Sequence, residues 1–333
     1  MEYYLGIDQG GTKTYAAICG EDGTIIGAAK GEPSIFYLDD VENESTNRVK
    51  IAAERALERT NVKLSQISAV CGALTGADWD FEFPIHEQRL RDGLGISDAI
   101  AINDCIAALR AGSNAPNRAI ICAGTGLNAA VRTGDGREIV YGYYVRGCDG
   151  GGVALGYAVL ESVIAAETGI GAETALTDMV LAHTGYDSMY ELIVDLTVRR
   201  FKLEVKELTI GLLKTAQSGD AVALQIVDKF AVNASDYIRV AVEKLKIQGE
   251  TIDMVFSGSV FKNVGSIITA RIKEELNKTG VAYNYVDAWY EPVCGSLLTL
   301  LDRKYDGNIP RDVLAKFDES CAKYGLLREV ELM

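Results

Sequence analysis

A short motif occurs twice in this chain, at a constant spacing of 113 residues. The shared residues are Gly11, Thr12, Ala16, Ala17, Asp22, Gly23 and Ile26 in the first copy and Gly124, Thr125, Ala129, Ala130, Asp135, Gly136 and Ile139 in the second. Each copy contains three apolar segments, separated first by a Gly-Thr turn and then by an Asp-Gly turn. Because Asp-Gly between apolar runs is typical of a β-hairpin, the repeat predicts two related lobes.

Composition and charge restrict the class of protein. The 333 residues are 48% hydrophobic and 24% charged, which allows two globular domains that each bury a core. A formal net charge of −14 disfavours nucleic acid and anionic membranes as partners, because both attract basic surfaces. The seven cysteines form no CxxC pair and indicate buried free thiols. With neither a signal-peptide pattern nor an apolar run of ~20 residues, we expect a cytoplasmic protein without a membrane span.

The order of apolar and polar segments predicts the domain organisation. Strand and helix patterns alternate in both halves, which is typical of mixed sheets flanked by helices. A polar stretch at 113–117 separates the two copies of the motif. We therefore expect an N-terminal lobe at 1–117 and a C-terminal lobe at 118–333. The C-terminal lobe includes a helical insertion, and its last helix is a candidate to pack back on the N-terminal lobe.

The first Gly-Thr turn has the composition of a phosphate-binding loop. Gly10 and Gly11 let the backbone approach an oxyanion closely. The following residues, Thr12, Lys13 and Thr14, add two hydroxyl donors and a positive charge. A hairpin turn that simply requires glycines is the alternative. The crowding of these groups into one turn favours phosphate.

A carboxylate and a second turn extend this prediction. Asp8 lies at the end of the first strand, where it could hold Mg²⁺ through water. The second copy, with Gly124, Thr125 and Gly126, predicts an opposing phosphate loop. A plain hairpin retained after gene duplication is the alternative for this copy.

Three further features allow two interpretations each. Asp104 follows a short buried strand and could accept a proton during phosphoryl transfer, but capping of the next helix is the better local interpretation. The glycine-rich stretch 147–152 fits an anion or sugar site and a flexible hinge equally well. Gly258 follows an apolar strand, where it could admit an adenine ring or simply form a tight turn.

Seven short segments, in this order, resemble the sugar-kinase/actin-like ATPase superfamily. They are DQGGTKT, GALTGAD, AIND, AGTGLN, GCDGGG, FSGSVFKN and EPVCGSLL. The group they resemble contains N-acetylglucosamine kinase, glucosamine kinase and the BadF/BadG/BcrA/BcrD-type ATPases. The resemblance implies an α/β fold of two duplicated actin-like (ribonuclease H-like) lobes, with mixed β-sheets flanked by helices and an interdomain ATP cleft.

The resemblance also implies roles for individual residues. The ATP phosphates would contact the two turns, 10–14 and 124–126, and the adenosine would lie at Gly258. Asp104 would be the catalytic base, which reverses the local preference for a helix cap. The cofactors implied are ATP and Mg²⁺, with Asp8 as the residue on the metal side.

The acceptor-binding residues implied by the resemblance are less regular. The positions concerned are Asp78, Asn103, Asn128, Cys148 and Asp149. Alignment on the downstream glycines puts Cys148 where the family has a sugar-binding Asp, whereas a shift by one residue would give that role to Asp149. The family segment GGPSN is GEPSI here, so an isoleucine, at position 35, replaces a sugar-contacting Asn.

The expected function is therefore an ATP-dependent kinase of an amino sugar related to N-acetylglucosamine or glucosamine. The alternative is a BadF/BadG-type ATPase that couples ATP hydrolysis to the activation of a partner enzyme. We expect a small-molecule sugar acceptor and a homodimer, with neither nucleic acid nor membrane as a partner.

Overall fold

The structure is a computed structural model that describes residues 1–35, 44–199, 201–262 and 265–328. The chain divides into two compact units. The first unit contains Met1–Arg118 and Tyr285–Met333, and the second contains Ala119–Asn284. Among the described helices, none has the length and the apolar run that a membrane crossing requires.

A five-stranded mixed sheet forms the centre of the first unit. Its strands are β1 (Tyr3–Gln9), β2 (Thr14–Gly20), β3 (Ile25–Gly31), β4 (Ile67–Leu74) and β5 (Asp98–Asn103), in the spatial order β3-β2-β1-β4-β5. The first three strands are antiparallel, whereas β4 and β5 run parallel to β1. In the ladder, Leu74 lies between Gln9 and Asn103. The carboxyl ends of the three parallel strands therefore lie at one edge, where open α/β sheets place their ligands.

Three helices of the first unit follow its strands. They are α1 (Glu44–Leu57), α2 (Glu82–Leu94) and α3 (Asp104–Gly112). The apolar stripe of α1 contributes Val49 and Ala53 to a core with Leu5 and Ile7 of β1, and Leu90 of α2 joins this core. Because side chains alternate along a strand, Tyr4 of β1 points to the opposite face of the sheet.

The second unit repeats the sheet and adds a helical insertion. Its strands are β6 (Arg118–Ala123), β7 (Leu127–Arg132), β8 (Glu138–Val140), β9 (Thr251–Ser257) and β10 (Ala282–Val286). Its helices are α4 (Gly152–Glu167), α5 (Leu176–Thr184), α6 (Met189–Val194), α7 (Leu208–Gln217), α8 (Ala221–Leu245) and α9 (Ser266–Asn277). All but the last of these helices lie between β8 and β9.

The duplication predicted from the sequence is confirmed by the order of the strands. Starting from its other edge, the second sheet runs β8-β7-β6-β9-β10. This is the order of the first sheet, β3-β2-β1-β4-β5, with every strand replaced by its repeat. The hairpin turns are also built alike. The Gly23 N–H donates to the Gly20 carbonyl at 2.9 Å, and the Gly136 N–H donates to the Thr133 carbonyl at 3.0 Å. Both turn glycines have positive φ angles, 85° and 87°, so the Asp-Gly turns need glycine at the same place.

The chain returns to the first unit after β10. Helix α10 (Pro292–Lys304) packs on α3 and β1, and α11 (Arg311–Lys323) follows it. Val293 and Leu297 of α10 and Phe317 of α11 share a core with Tyr4. The sequence pattern placed the end of the chain in the C-terminal lobe, with its last helix a candidate to pack back on the N-terminal lobe. The structure groups the described residues 285–328 with the first unit, and their helices pack on its sheet. The second face of the first sheet is apolar, and these helices cover it.

Candidate active site

Polar residues follow the parallel strands of the first unit where those strands end. Asp8 is the penultimate residue of β1, Thr75 comes directly after β4, and Asp104 comes directly after β5. The Thr75 hydroxyl Oγ1 lies 2.6 Å from Asp104 Oδ2. Residues that are 29 positions apart in sequence are thus brought into hydrogen-bond contact by the alignment of neighbouring strands.

The helix cap that the local sequence suggested for Asp104 is provided by its neighbour. Asn103 is the N-cap of α3, and its Oδ1 accepts a hydrogen bond from the Cys105 N–H at 2.9 Å. Its Nδ2 donates to the Ala77 carbonyl at 3.0 Å and to Asp78 Oδ1 at 2.6 Å. The buried Asn103 side chain therefore holds both the start of α3 and the predicted substrate residue Asp78. Asp104 becomes the first residue of the helix.

The electrostatic surroundings of the two carboxylates favour proton uptake. Burial raises the pKa of Asp104 above its usual range, although the hydrogen bond from Thr75 opposes this effect. Burial also raises the pKa of Asp8 to about 7, and the negative charge of Asp104 adds to the increase. A carboxylate with a raised pKa is a better proton acceptor near neutral pH, which is the property that a general base requires.

Asp8 fits a magnesium site that uses few protein ligands. Within the described residues, no three His, Cys, Asp or Glu side chains are grouped so that they could hold a metal. Mg²⁺ at nucleotide sites typically takes one or two carboxylates and completes its coordination with water and phosphate oxygens. The repulsion between Asp8 and Asp104 is what a divalent cation would relieve. The residues present are therefore compatible with the predicted cofactor.

The first Gly-Thr turn is closed by its own backbone. The Gly10 N–H donates to the Lys13 carbonyl at 3.0 Å. Gly11 and Thr12 are exposed, whereas Thr14 is buried, with its hydroxyl 3.3 Å from Ser34 Oγ. The exposed part of the turn is therefore the part that could contact a phosphate.

Lys13 of this turn is held by an ion pair that the sequence did not reveal. Its Nζ lies 2.8 Å from Glu291 Oε2, and it also lies 5.0 Å from the centre of the Tyr15 ring. Glu291 is the N-cap residue of α10, in the segment EPVCGSLL. The returning helix thus places a carboxylate beside the predicted phosphate loop.

The second Gly-Thr turn packs against the start of α4. The Gly124 carbonyl accepts a hydrogen bond from the Gly152 N–H at 2.7 Å, and the Thr125 carbonyl accepts from the Val153 N–H at 3.1 Å. A Cβ atom on Gly151 would lie 2.2 Å from the Gly126 carbonyl oxygen. The first N–H groups of α4 are therefore used within the protein, and the glycines of 147–152 permit the close approach of this turn.

Asp149 is a buried structural carboxylate in this conformation. Its side chain is 0% exposed. It accepts hydrogen bonds from Asn233 Nδ2 at 2.6 Å and from the Tyr237 hydroxyl at 3.0 Å, and it pairs with Arg146 Nε. These contacts join the glycine-rich segment to α8. The oxygen atoms of Asp149 therefore already accept hydrogen bonds from the protein. A one-residue shift in the family alignment would assign this carboxylate to the sugar.

The remaining predicted residues of the second unit differ in their accessibility. Cys148 is exposed. Asn128 Oδ1 accepts hydrogen bonds from the Ala129 N–H at 2.8 Å and the Gly142 N–H at 2.9 Å, so it fixes the connection after β8. Gly258 has a φ of 108°, and a Cβ atom there would lie 2.2 Å from the Ala123 carbonyl oxygen. That close approach of β9 to β6 explains why this position is glycine.

Two residues of the site were given no role from the sequence. Thr75 and Glu291 both lie in segments that resemble the family, but neither residue type identifies a contact by itself. Thr75 contacts Asp104 because β4 and β5 are neighbours, and Glu291 contacts Lys13 because α10 returns to the first unit. Both contacts depend on tertiary structure.

The sequence also matches known proteins along most of its length. A model of the BadF/BadG/BcrA/BcrD ATPase family matches residues 5–299. The chain belongs to this family. The match spans both units, and it confirms the family resemblance inferred from the seven segments.

Two relatives of this family member are kinases. The N-acetylmuramic acid/N-acetylglucosamine kinase of Clostridium acetobutylicum is 25% identical over 269 residues, which cover 79% of this chain and 87% of the relative. The N-acetyl-D-glucosamine kinase of Dictyostelium discoideum is 24% identical over 322 residues, which cover 91% of this chain and 99% of the relative.

Solved structures confirm the predicted fold class. A Chromobacterium violaceum protein, provisionally assigned as an N-acetylglucosamine kinase, superposes with a TM-score of 0.65 at 19% identity, over 90% of this chain and 99% of that one. The ROK family glucokinase of Streptomyces griseus gives a TM-score of 0.58 at 19% identity, over 89% and 97%. Identities this low establish the fold alone, which is two mixed five-stranded sheets flanked by helices.

Proposed function

We propose that this member of the BadF/BadG/BcrA/BcrD ATPase family is an ATP-dependent kinase of an amino sugar related to N-acetylglucosamine or glucosamine. The observation that carries the proposal is the position of Asp104. Its carboxylate lies at the carboxyl edge of the parallel strands and contacts Thr75, and its charge interacts with that of Asp8. The two related kinases support the choice of substrate class.

In this mechanism Asp104 is the general base. It accepts the proton of the acceptor hydroxyl while the hydroxyl oxygen forms a bond to the γ-phosphorus of ATP, and the bond from that phosphorus to the ADP oxygen breaks. Its raised pKa makes the carboxylate a better acceptor for that proton. Mg²⁺, when bound beside Asp8, supplies positive charge that offsets the charge on the phosphates.

Nucleotide binding is assigned to residues of the two Gly-Thr turns. In the first unit, the exposed residues Gly11 and Thr12 and the ammonium group of Lys13 are the proposed phosphate contacts. In the second unit, the proposed contacts are the backbone N–H groups of the exposed residues Thr125 and Gly126, because the Gly124 N–H donates to the Gly126 carbonyl at 3.0 Å. Gly258 is the proposed adenosine position on the family resemblance alone, because the close approach of β9 to β6 already accounts for the glycine.

The acceptor contacts are proposed to involve fewer residues than the resemblance implies. Asp78, Asn128 and Cys148 are the candidates for direct contact. Asn103 and Asp149 are proposed to support Asp78 and Cys148, because both supporting side chains are buried and bond to these residues. A thiol at 148 would form weaker hydrogen bonds than the carboxylate that the family has there, so we expect relaxed selectivity for the sugar hydroxyl at that position.

The test is to measure ADP formation from Mg·ATP with glucosamine, N-acetylglucosamine, N-acetylmuramic acid and glucose. We expect an increase in ADP formation and a phosphorylated product with at least one amino sugar. Asp104→Asn should reduce kcat by roughly 10²–10⁴-fold, the usual contribution of a general base, and should still bind ATP. Asp98→Asn is the matched control, because Asp98 lies at the other end of β5 and pairs with Arg303 on the surface.

Two results would contradict the proposal. Retained phosphoryl transfer in Asp104→Asn would remove this residue from the mechanism. ATP hydrolysis that no sugar stimulates, in a brown and oxygen-sensitive protein, would instead support the activation of a partner enzyme through an iron–sulfur cluster.

A further inference from the structure

The hydroxyl of Thr75 has one hydrogen and two acceptors within reach. Its Oγ1 lies 2.6 Å from Asp104 Oδ2 and 2.8 Å from the Gln9 carbonyl oxygen. A hydroxyl donates one hydrogen bond and accepts through its lone pairs. When Asp104 is ionised, the hydrogen can therefore serve only one neighbour at a time. The carboxylate is the closer acceptor, and a charged acceptor forms the stronger bond.

The Gln9 carbonyl remains hydrogen-bonded in either orientation of this hydroxyl. The backbone N–H of Thr75 donates to the same carbonyl oxygen at 3.1 Å. When the hydroxyl turns towards Asp104, the Gln9 oxygen therefore keeps a donor, and no buried polar group is left unsatisfied. Reorientation of the hydroxyl thus avoids the cost that normally accompanies the loss of a buried hydrogen bond.

We infer that Thr75 is a positioning residue for Asp104 and that its hydroxyl changes partner as Asp104 gains and releases a proton. This inference rests on the role of Asp104 in the proposed function. With Asp104 ionised, Thr75 donates to Oδ2. After Asp104 has taken the proton of the acceptor hydroxyl, the carboxylic O–H donates to Thr75 Oγ1, whose own hydrogen turns to the Gln9 carbonyl. The proton then leaves Asp104 for solvent, and the hydroxyl returns.

The backbone around Thr75 is suited to hold this hydroxyl in place. Leu74, the preceding residue, is paired in the ladder with Gln9 on one side and Asn103 on the other. Gly76, the following residue, has a φ of 86°, which lets the chain turn away directly after Thr75. The hydroxyl of Thr75 therefore lies between the ends of two neighbouring strands. Groups on such rigid elements are held more precisely than groups on loops.

Other ionisable groups also act on this part of the site. The charge of Asp8 interacts with that of Asp104, and Lys13, Glu291 and Arg328 act on Asp8. Cys105 and Arg110 lie on α3 itself. The elements packed against α3 carry Tyr3, Tyr4, Cys71, Asp98, Cys294, Asp302, Arg303 and Lys304. All of these groups remain when Thr75 is substituted, so a comparison of valine with serine at this position isolates the hydroxyl.

The experiment compares Thr75→Val and Thr75→Ser with the natural protein. With Mg·ATP and N-acetylglucosamine as substrates, kcat/KM for the sugar is measured from pH 5 to pH 9. Loss of the hydrogen bond to the ionised carboxylate raises the pKa of Asp104. We therefore expect the acid limb of the Thr75→Val profile to move to higher pH, with about a tenfold loss or more at the acid end. Thr75→Ser should restore the profile, and KM for ATP should not change.

A second measurement is independent of kinase activity. The carboxyl carbon of Asp104 is titrated by ¹³C NMR in protein labelled at aspartate, with the signal assigned by its absence in Asp104→Asn. We expect a higher pKa in Thr75→Val than in the natural protein and a restored pKa in Thr75→Ser. Thr60→Val is the control for loss of a threonine hydroxyl, because the hydroxyl of Thr60 donates only to backbone carbonyl groups.

The outcomes separate the inference from the function on which it rests. If the natural protein phosphorylates no sugar, the proposed function fails, and the NMR titration alone decides the role of Thr75. Equal titration curves for the natural protein and Thr75→Val would overturn the inference even if the kinase is active. A serine variant that behaves like the valine variant would also overturn it, because the hydroxyl would then not be the determining group.

Discussion

At the scale of single residues, Asp149 shows how a carboxylate in a predicted binding motif can be structural. Its buried side chain accepts hydrogen bonds from Asn233 and Tyr237 and pairs with Arg146. Substitution by asparagine keeps the volume but removes the charge and places an amide N–H₂ group among these donors. The segment that packs against the second Gly-Thr turn should therefore lose its attachment to α8.

We expect Asp149→Asn to lower the free energy of unfolding by about 2 kcal/mol, the typical contribution of hydrogen bonds to a charged group. Urea denaturation followed by circular dichroism measures the change. Asp187→Asn is the control, because Asp187 is exposed. An equal loss of stability in both variants would show that the hydrogen bonds and the ion pair of Asp149 do not stabilise the fold.

His86 gives a pH-dependent prediction at the same scale. Burial in α2 lowers the pKa of its imidazole below the usual 6.5, with the positive charge of Arg89 acting in the same direction. The folded state therefore favours the neutral ring. The stability that this preference contributes is present above pH 6.5, and it is lost progressively as the pH falls from 6.5 towards the lowered folded pKa.

We therefore expect the free energy of unfolding of the natural protein to fall, relative to that of His86→Phe, as the pH is lowered from about 7.5 to about 5.5. This range surrounds the unfolded pKa of histidine. Urea unfolding of both proteins at the two pH values measures the difference. A stability difference that does not depend on pH would contradict the assignment of a neutral buried imidazole.

Which single residues could be identified from sequence depended on how local their chemistry is. Asp104 could be selected because it follows an apolar run, and the glycines of the turns because they share a pattern. Thr75 could not be given a role, since its contact with Asp104 arises from the pairing of β4 with β5. The cap of α3 was also ambiguous, because Asn103 and Asp104 are adjacent and both are favourable N-cap residues.

At the scale of elements, strand and turn signals were accurate where they were local. The three apolar segments of the first motif copy form β1, β2 and β3, because the Gly-Thr and Asp-Gly turns limit them. Helix α11 was not predicted. Its apolar residues Val313, Phe317 and Cys321 follow helical spacing, but the rest of the segment is polar. Packing on the first sheet supplies the stabilisation that the local sequence lacks.

The contact between α10 and α3 gives a prediction for a helix crossing. Gly295 lies where the two helices touch, and a Cβ atom there would be 1.8 Å from the Ala107 carbonyl oxygen. Because that neighbour is backbone, the helices would have to separate to admit a methyl group. We expect Gly295→Ala to destabilise the protein by about 2 kcal/mol or more, as overpacked cores do.

Thermal unfolding with calorimetric detection measures this loss. Gly249→Ala is the matched control, because a methyl group there would have no atom within 4 Å and the φ angle of Gly249 is not in the left-handed region. If both substitutions shift the midpoint equally, the close approach of α10 and α3 is not the cause.

At the scale of the whole molecule, the duplicated sheets explain why one motif occurs twice in the chain. Both sheets have the same strand order, and both hairpins use the same hydrogen bonds at the same spacing. The return of residues 285–328 to the first unit could not be deduced from the repeat, because the second copy contains no signal for where the chain goes afterwards. It is decided by the apolar face of the first sheet, which α10 and α11 cover.

The assignment of α10 to the first unit predicts which unit a core substitution destabilises. Leu297 of α10 is fully buried in the first unit, and Leu212 of α7 is fully buried in the second. We expect Leu297→Ala to cost about 2–5 kcal/mol and to reduce hydrogen-exchange protection in β1 and β4, with β6 and β9 unchanged. Leu212→Ala should instead reduce protection in α4 and α8, on which α7 packs, with β1 and β4 unchanged. Hydrogen exchange measured by mass spectrometry distinguishes the two, and loss of protection in the second unit by Leu297→Ala would contradict the assignment.

The central claim is that Asp104 takes the proton from the sugar hydroxyl. The most direct measurement is a crystal structure of the protein with Mg²⁺, a non-hydrolysable ATP analogue and the amino sugar that it phosphorylates. We predict that the hydroxyl to be phosphorylated lies within about 3 Å of a carboxylate oxygen of Asp104, the reach of a general base. A sugar hydroxyl in contact with a different carboxylate, with Asp104 turned away from it, would contradict the account.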